Sequence, residues 1–118
     1  MDFARYWQAC IDQDKEVLRA WFWPDARIIW PCTEEVFTVE EFLLVNCEYP
    51  GDWTGELLRT TPTPMGAVTE VRIISQDNRY SCHAASIFTL YHDRIVSLTE
   101  YYADDGPPPT WRKELLKR

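Results

Sequence analysis

The hydrophobic period of this chain changes once, near its middle, and that change restricts the fold more than any other feature of the sequence. Up to Tyr49, apolar residues recur every three or four positions, as on one face of a helix. Phe3, Tyr6, Trp7 and Cys10 form one such stripe. Val17, Leu18, Trp21 and Phe22 form a second, and Phe42, Val45, Asn46 and Tyr49 a third that carries one amide. From Trp53 onward the period is two, in the segments "WTGELLRTTPTP", "AVTEVRIISQ", "RYSCHAASIFTLY" and "DRIVSLTEYYAD". Such a chain buries its stripes best as an α+β pair of layers: three N-terminal helices on one face of a strongly curved, mostly antiparallel sheet. A curved sheet under helices encloses a cone, and a cone is a natural ligand cavity.

The residues between these segments agree with that division. Asp14 is placed to cap the second helix, and Pro24-Asp25 to end it before a short strand, "ARIIWP". Thr38 followed by Glu41 fits a capping box at the start of the third helix. Gln76-Asp77-Asn78 and His92-Asp93 read as turns, and Pro62 and Pro64 put the first long strand at an edge. "DDGPPPTW" stops the sheet, and "TWRKELLKR" reads as one short terminal helix. The whole chain, 1–118, is expected to be a single domain, with 104–118 a proline-rich tail.

Composition excludes several partners. Nineteen acidic residues against 12 basic ones give a net charge of −7, the wrong sign for a phosphate-backbone partner, so no nucleic acid is expected. No apolar run approaches the ~20 residues of a membrane span. The opening "MDFARYWQAC" has no apolar core of the kind a secretion signal needs. Cysteines 10, 32, 47 and 82 show no C-x-x-C spacing, so neither a zinc site nor a redox motif is indicated. They read as reduced, buried residues of a cytoplasmic protein, and no metal or cofactor is expected.

The opening "YWQACIDQDKEVLRAWFWPDARI", the helix start "FTVEEF" and the hairpin "FTLYHDRIVSLTEYYAD" resemble, in order and spacing, the nuclear-transport-factor-2-like superfamily, in particular its SnoaL-like and ketosteroid-isomerase-like branch. The resemblance covers nearly the whole chain. It implies the cone fold, a pocket for a small apolar ligand, and a homodimer formed through the outer sheet face. That face would carry Arg72, His83, Ile87, Thr89 and Tyr91.

The resemblance also implies site residues. In the ketosteroid isomerase pattern the oxyanion tyrosine falls on Tyr6, the general base on Trp30 and the protonated acid on Ser86. Tryptophan cannot take a proton, so that mechanism is rejected. In the SnoaL-like cyclases the acid/base is an acidic residue of the last strand, here Glu100, while the accompanying histidine again falls on Ser86. Strand alternation puts Glu100 and Tyr102 inward with Leu98, puts Ser86 inward, and puts His83 outward. Glu100 is therefore the expected acid/base, with a pKa raised by burial, and Tyr6 and Asn46 are expected to orient a carbonyl. Trp30, Asn46, Trp53, Ser86, Tyr102 and Trp111 are the expected binding residues, Trp111 being carried over the cavity mouth, or over a neighbouring subunit, by Pro107-Pro108-Pro109.

Structural alternatives stand beside these roles. Glu100 is equally a candidate for a buried ion pair with Arg59 or Arg72, and Tyr6 for a core aromatic. Trp53, Glu56 and Arg59 rim the pocket or form a solvated strand face. A non-catalytic dimeric binding module uses the same residues without chemistry.

Overall fold

The computed structural model describes residues 1–118. Its first helix, α1 (Phe3–Asp12), is capped by the Asp2 side chain, which accepts from Arg5 N–H at 3.1 Å. It buries Tyr6, Trp7, Ala9 and Cys10, the stripe that its period marks out. Gln13 ends it in a left-handed conformation. Helix α2 (Lys15–Arg19) is capped by Asp14, whose carboxylate accepts from Val17 N–H. Its stripe was expected to extend through Trp21 and Phe22, but the helix stops at Arg19 and strand β1 (Phe22–Trp30) begins. Pro24 is the physical reason: two residues after Phe22 it removes a backbone donor and excludes a continuing helix.

Strand β1 runs parallel to the last strand, β6 (Arg94–Asp104), and the pairing skips between Phe22 and Arg27. The skip takes in Pro24, which has no N–H to give a ladder. A single 3₁₀ turn (Pro31–Thr33) leads to β2 (Glu35–Phe37), a three-residue strand too short to be read from alternation. Helix α3 (Val39–Cys47) starts with the expected capping box: Glu41 N–H donates to Thr38 Oγ1 at 3.2 Å, and Thr38 N–H to Glu41 Oε1 at 2.9 Å. Strands β3 (Trp53–Thr63), β4 (Gly66–Ser75) and β5 (Ser81–Tyr91) form an antiparallel meander that β6 completes.

The six-stranded curved sheet has the order β2-β1-β6-β5-β4-β3, so the proline-bearing β3 is an edge and β6 lies near the centre. Two residues join β5 to β6, His92 and Asp93, both with positive φ (47° and 62°), the twist a tight hairpin needs. Under the helices, Tyr6, Leu18, Phe22, Ile28, Leu43, Phe88, Ile95 and Leu98 are buried almost completely. Each contributes roughly 1.5–3 kcal/mol of transfer free energy for its apolar surface. Tyr6 meets Trp7, Phe22 and Phe88 edge to face, with ring centroids 5.3–6.1 Å apart. No helix is long and apolar enough to cross a membrane.

Beyond Asp104 the chain passes Pro107–Pro109 into α4 (Thr110–Leu116), which buries none of its residues. Trp111 is 63% exposed and lies near the Arg112 guanidinium rather than over the cavity mouth. The expectation for Trp111 as a cavity residue is corrected here. The stiff proline run holds the helix off the body of its own chain.

Candidate functional site

At the open end of the cone, between α1, α3 and the concave face of the sheet, lies a cavity of about 320 Å³. That is the size of a small-molecule site, for which ~300–1,000 Å³ is usual. Helix α1 supplies Trp7, Cys10 and Ile11, with Gln13 just past its end. Helix α3 supplies Val45 and Asn46, with Tyr49 just after it. The sheet supplies Trp30, Trp53, Ile73, Cys82, Glu100 and Tyr102, and Tyr80 precedes β5. Most of this wall is apolar or aromatic. Glu100 is its only acidic side chain, and it contains no lysine, arginine or histidine.

Glu100 reaches the cavity because β6 alternates. Ile95 and Leu98 are in the core, and a period of two past Leu98 aims the carboxylate inward; it is 2% exposed. Three groups donate to it. Ser86 Oγ, on the neighbouring strand at the directly opposed position, lies 2.7 Å from Oε2. Trp30 Nε1, from the parallel neighbour β1, lies 3.1 Å from Oε1, and the Tyr102 hydroxyl lies 3.5 Å from the same oxygen. Burial raises the Glu100 pKa above the usual carboxylate range, and the three hydrogen bonds oppose the rise without cancelling it. No cation neutralises the group. Arg59 pairs with Glu70, and Arg72 lies 3.7 Å from Asp105. The buried ion-pair alternative therefore has no partner in the structure.

The other candidates divide by position. Trp30, Asn46, Trp53 and Tyr102 line the cavity beside Glu100, whereas Ser86 stands behind the carboxylate and does not reach the cavity surface. Tyr6 also lies behind the wall. It is fully buried, its hydroxyl has no hydrogen-bond partner, and the Cys10 thiol is its polar neighbour. Burial pushes both Tyr6 and Cys10 well up, and the nearby Glu100 adds to the effect, so both stay neutral. The Asn46 amide nitrogen donates to the Cys10 carbonyl at 3.1 Å. Neither Tyr6 nor Asn46 thus offers a donor to a carbonyl in the cavity. Glu56 and Arg59 are exposed and line no part of it, and His83 faces outward against Asp105.

Sequence reasoning missed Cys10, Gln13, Tyr49, Tyr80 and Cys82 as cavity residues. The helical stripe of α1 and the inward parity of β5 carried signals for Cys10 and Cys82. Tyr80 carried none: it precedes its strand, and its hydroxyl is turned toward Asp104.

The fold of this chain recurs in solved structures. A candidate ketosteroid isomerase from Kribbella flavida superimposes with a TM-score of 0.81 at 23% identity, over 98% of this chain and 85% of that one. This chain has the nuclear-transport-factor-2-like fold. A nuclear-transport-factor-2-like protein of unknown function from Burkholderia xenovorans matches with a TM-score of 0.79 at 22% identity, over 95% of this chain and 88% of that one. A protein of ketosteroid-isomerase-like fold from Catenulispora acidiphila, solved in complex with trimethylamine, matches with a TM-score of 0.72 at 11% identity, over 86% and 84% of the two chains. No family model and no curated protein matches the sequence. The nuclear-transport-factor-2-like fold sets the cone, and the chemistry rests on the side chains in it.

Proposed function

We propose that the chain is a SnoaL-like small-molecule-binding protein of isomerase or cyclase type, in which Glu100 moves a proton on an apolar, ring-containing ligand. The observation that carries this reading is the carboxylate itself. It is buried at the wall of an aromatic cavity, hydrogen-bonded by Ser86 and Trp30, and unpaired with any cation. A carboxyl whose pKa is raised toward neutrality is suited to general acid/base work. Trp30, Trp53 and Tyr102 would hold the ring by their faces, and Ser86 would position the carboxylate. A protein of this fold from Catenulispora acidiphila has been solved in complex with a small organic molecule, trimethylamine.

The test is solvent deuterium incorporation at the acidic carbons of a panel of cyclic ketones and cyclic iminium ions. Glu100→Gln is expected to lower exchange at least ~100-fold, the usual scale for a general base. Ligand-induced thermal stabilisation should survive in the variant. Equal exchange in wild type and variant would remove Glu100 from the reaction.

We also propose a homodimer through the outer sheet face, where Ile87 is 44% and Tyr91 61% exposed. A dimer with no chemistry in its cavity is the second reading. The four unpaired cysteines support a reducing, cytoplasmic location.

A further inference from the structure

The polar groups of the cavity are unevenly available. Its tryptophan N–H donors are already engaged: Trp7 Nε1 donates to Thr69 at 3.0 Å, Trp53 Nε1 to the Pro50 carbonyl at 3.1 Å, and Trp30 Nε1 to Glu100. The two amides are held likewise. Gln13 turns its nitrogen to the carbonyls of Asn46 and Tyr49, at 3.0 and 2.6 Å, and Asn46 turns its own to the Cys10 carbonyl. Because those neighbours are all acceptors, each amide oxygen is left as an acceptor. What the wall offers a ligand is therefore a carboxylate, amide oxygens and aromatic faces, with no basic side chain. A neutral ketone finds only uncharged donors, the hydroxyl and thiol groups and the protonated Glu100 carboxyl. An organic cation seeks acceptors and the negative faces of aromatic rings, and is matched on both counts.

We propose that the cavity takes an organic ammonium ion on a small apolar or ring-shaped body, its positive charge held against Trp30, Tyr102 and the Glu100 carboxylate. This rests on the small-molecule reading above and names the ligand class for that site. Trp30 and Tyr102 stand together, ring centroids 5.6 Å apart, with the carboxylate between their polar atoms. Tyr49, Trp53 and Tyr80 form a second aromatic group further out, with centroids 5.4 and 5.7 Å apart, as a path of π faces toward the charge. The net charge of −7 favours arrival of cations over anions.

Cation binding is then coupled to proton release. Burial favours the protonated carboxyl in the empty cavity, and a fixed positive charge beside it favours the carboxylate. The titratable groups facing Glu100 are Tyr6 and Cys10 from α1 and Tyr102 from its own strand, and Cys82 from β5 lies in the same cavity wall. All four have raised pKa values and remain neutral near pH 7, so Glu100 is the group that responds.

The experiment compares two probes of one shape, phenyltrimethylammonium and the neutral tert-butylbenzene, by tryptophan fluorescence titration of the intact protein from pH 5 to pH 8. The charge of the first is permanent, so any pH dependence belongs to the protein. Its affinity is expected to rise by up to about tenfold per pH unit below the Glu100 pKa and then level off. The neutral probe should give a flat profile. Glu100→Gln should lose at least about tenfold in cation affinity and flatten its profile while the neutral probe is unaffected. If that variant does not fold, the wild-type profiles alone decide. A flat cation profile, or binding of tert-butylbenzene alone, overturns the cation assignment and leaves the small-molecule reading standing. Binding of neither probe, with no stabilisation by any neutral ring compound, overturns both.

Discussion

At Glu100 two effects oppose each other, and their balance reaches beyond the cavity. Desolvation favours the protonated form, while Ser86 and Trp30 favour the charged one, and desolvation is the larger. A carboxyl whose folded pKa lies above its unfolded value stabilises the fold fully below the ordinary glutamate range. It loses that contribution as pH rises through the folded pKa. Glu100→Gln keeps the shape and cannot ionise. Its melting temperature minus that of the wild type should therefore increase as pH rises past the ordinary glutamate range and level off above the folded Glu100 pKa. Mismatch between the new amide and Trp30 shifts that curve as a whole without changing its slope. A constant or shrinking difference across the range would mean that Glu100 is not desolvated. The aim of this residue was legible in "LTEYY", because a period of two leaves no freedom once Leu98 is in the core. Its donors were less so. Trp30 is 70 positions away in sequence and becomes a neighbour only because β1 lies parallel beside β6.

Among the elements, the meander was the most legible part, since β4 and β5 alternate cleanly and the turns contain the residues that tight turns require. The boundary of α2 was misplaced because Trp21 and Phe22 continue a helical stripe by period alone, whereas Pro24 and pairing with β6 decide the outcome. A different local rule governs the start of β4. A Cβ added at Gly66 would sit 2.1 Å from the Phe88 carbonyl oxygen, a backbone atom fixed by the β4–β5 ladder. Gly66→Ala is expected to destabilise the chain by at least about 2 kcal/mol, within the range for forced overpacking. Gly55→Ala is the control. Its added Cβ meets the Ile11 side chain at 2.8 Å, which is flexible enough to move. Urea unfolding of the two variants checks the order, and equal midpoints would show that the Gly66 contact relaxes.

For the whole molecule, the outer sheet face and α4 leave apolar surface uncovered on opposite terms. Ile87 belongs to an interior strand of the sheet, while Trp111, Leu115 and Leu116 ride on a helix that buries none of its residues. Ile87→Arg places a charge in the middle of the outer face. Light scattering behind size exclusion should show the wild type at twice the chain mass and Ile87→Arg at the chain mass, with probe binding in the cavity retained. A wild type that elutes at the chain mass at all concentrations would remove the dimer.

The position of β6 also governs how this molecule is assembled. The last long strand to be synthesised is inserted between the first strand and the meander, so the two halves of the sheet have no ladder joining them until it arrives. Early in synthesis α1 and β1 must wait with Phe22 and Ile28 uncovered, and closure depends on contacts far apart in sequence. Such a chain should refold slowly for its size, and any product that stops short of Arg94 should be a substrate for chaperones and proteases rather than a smaller working protein.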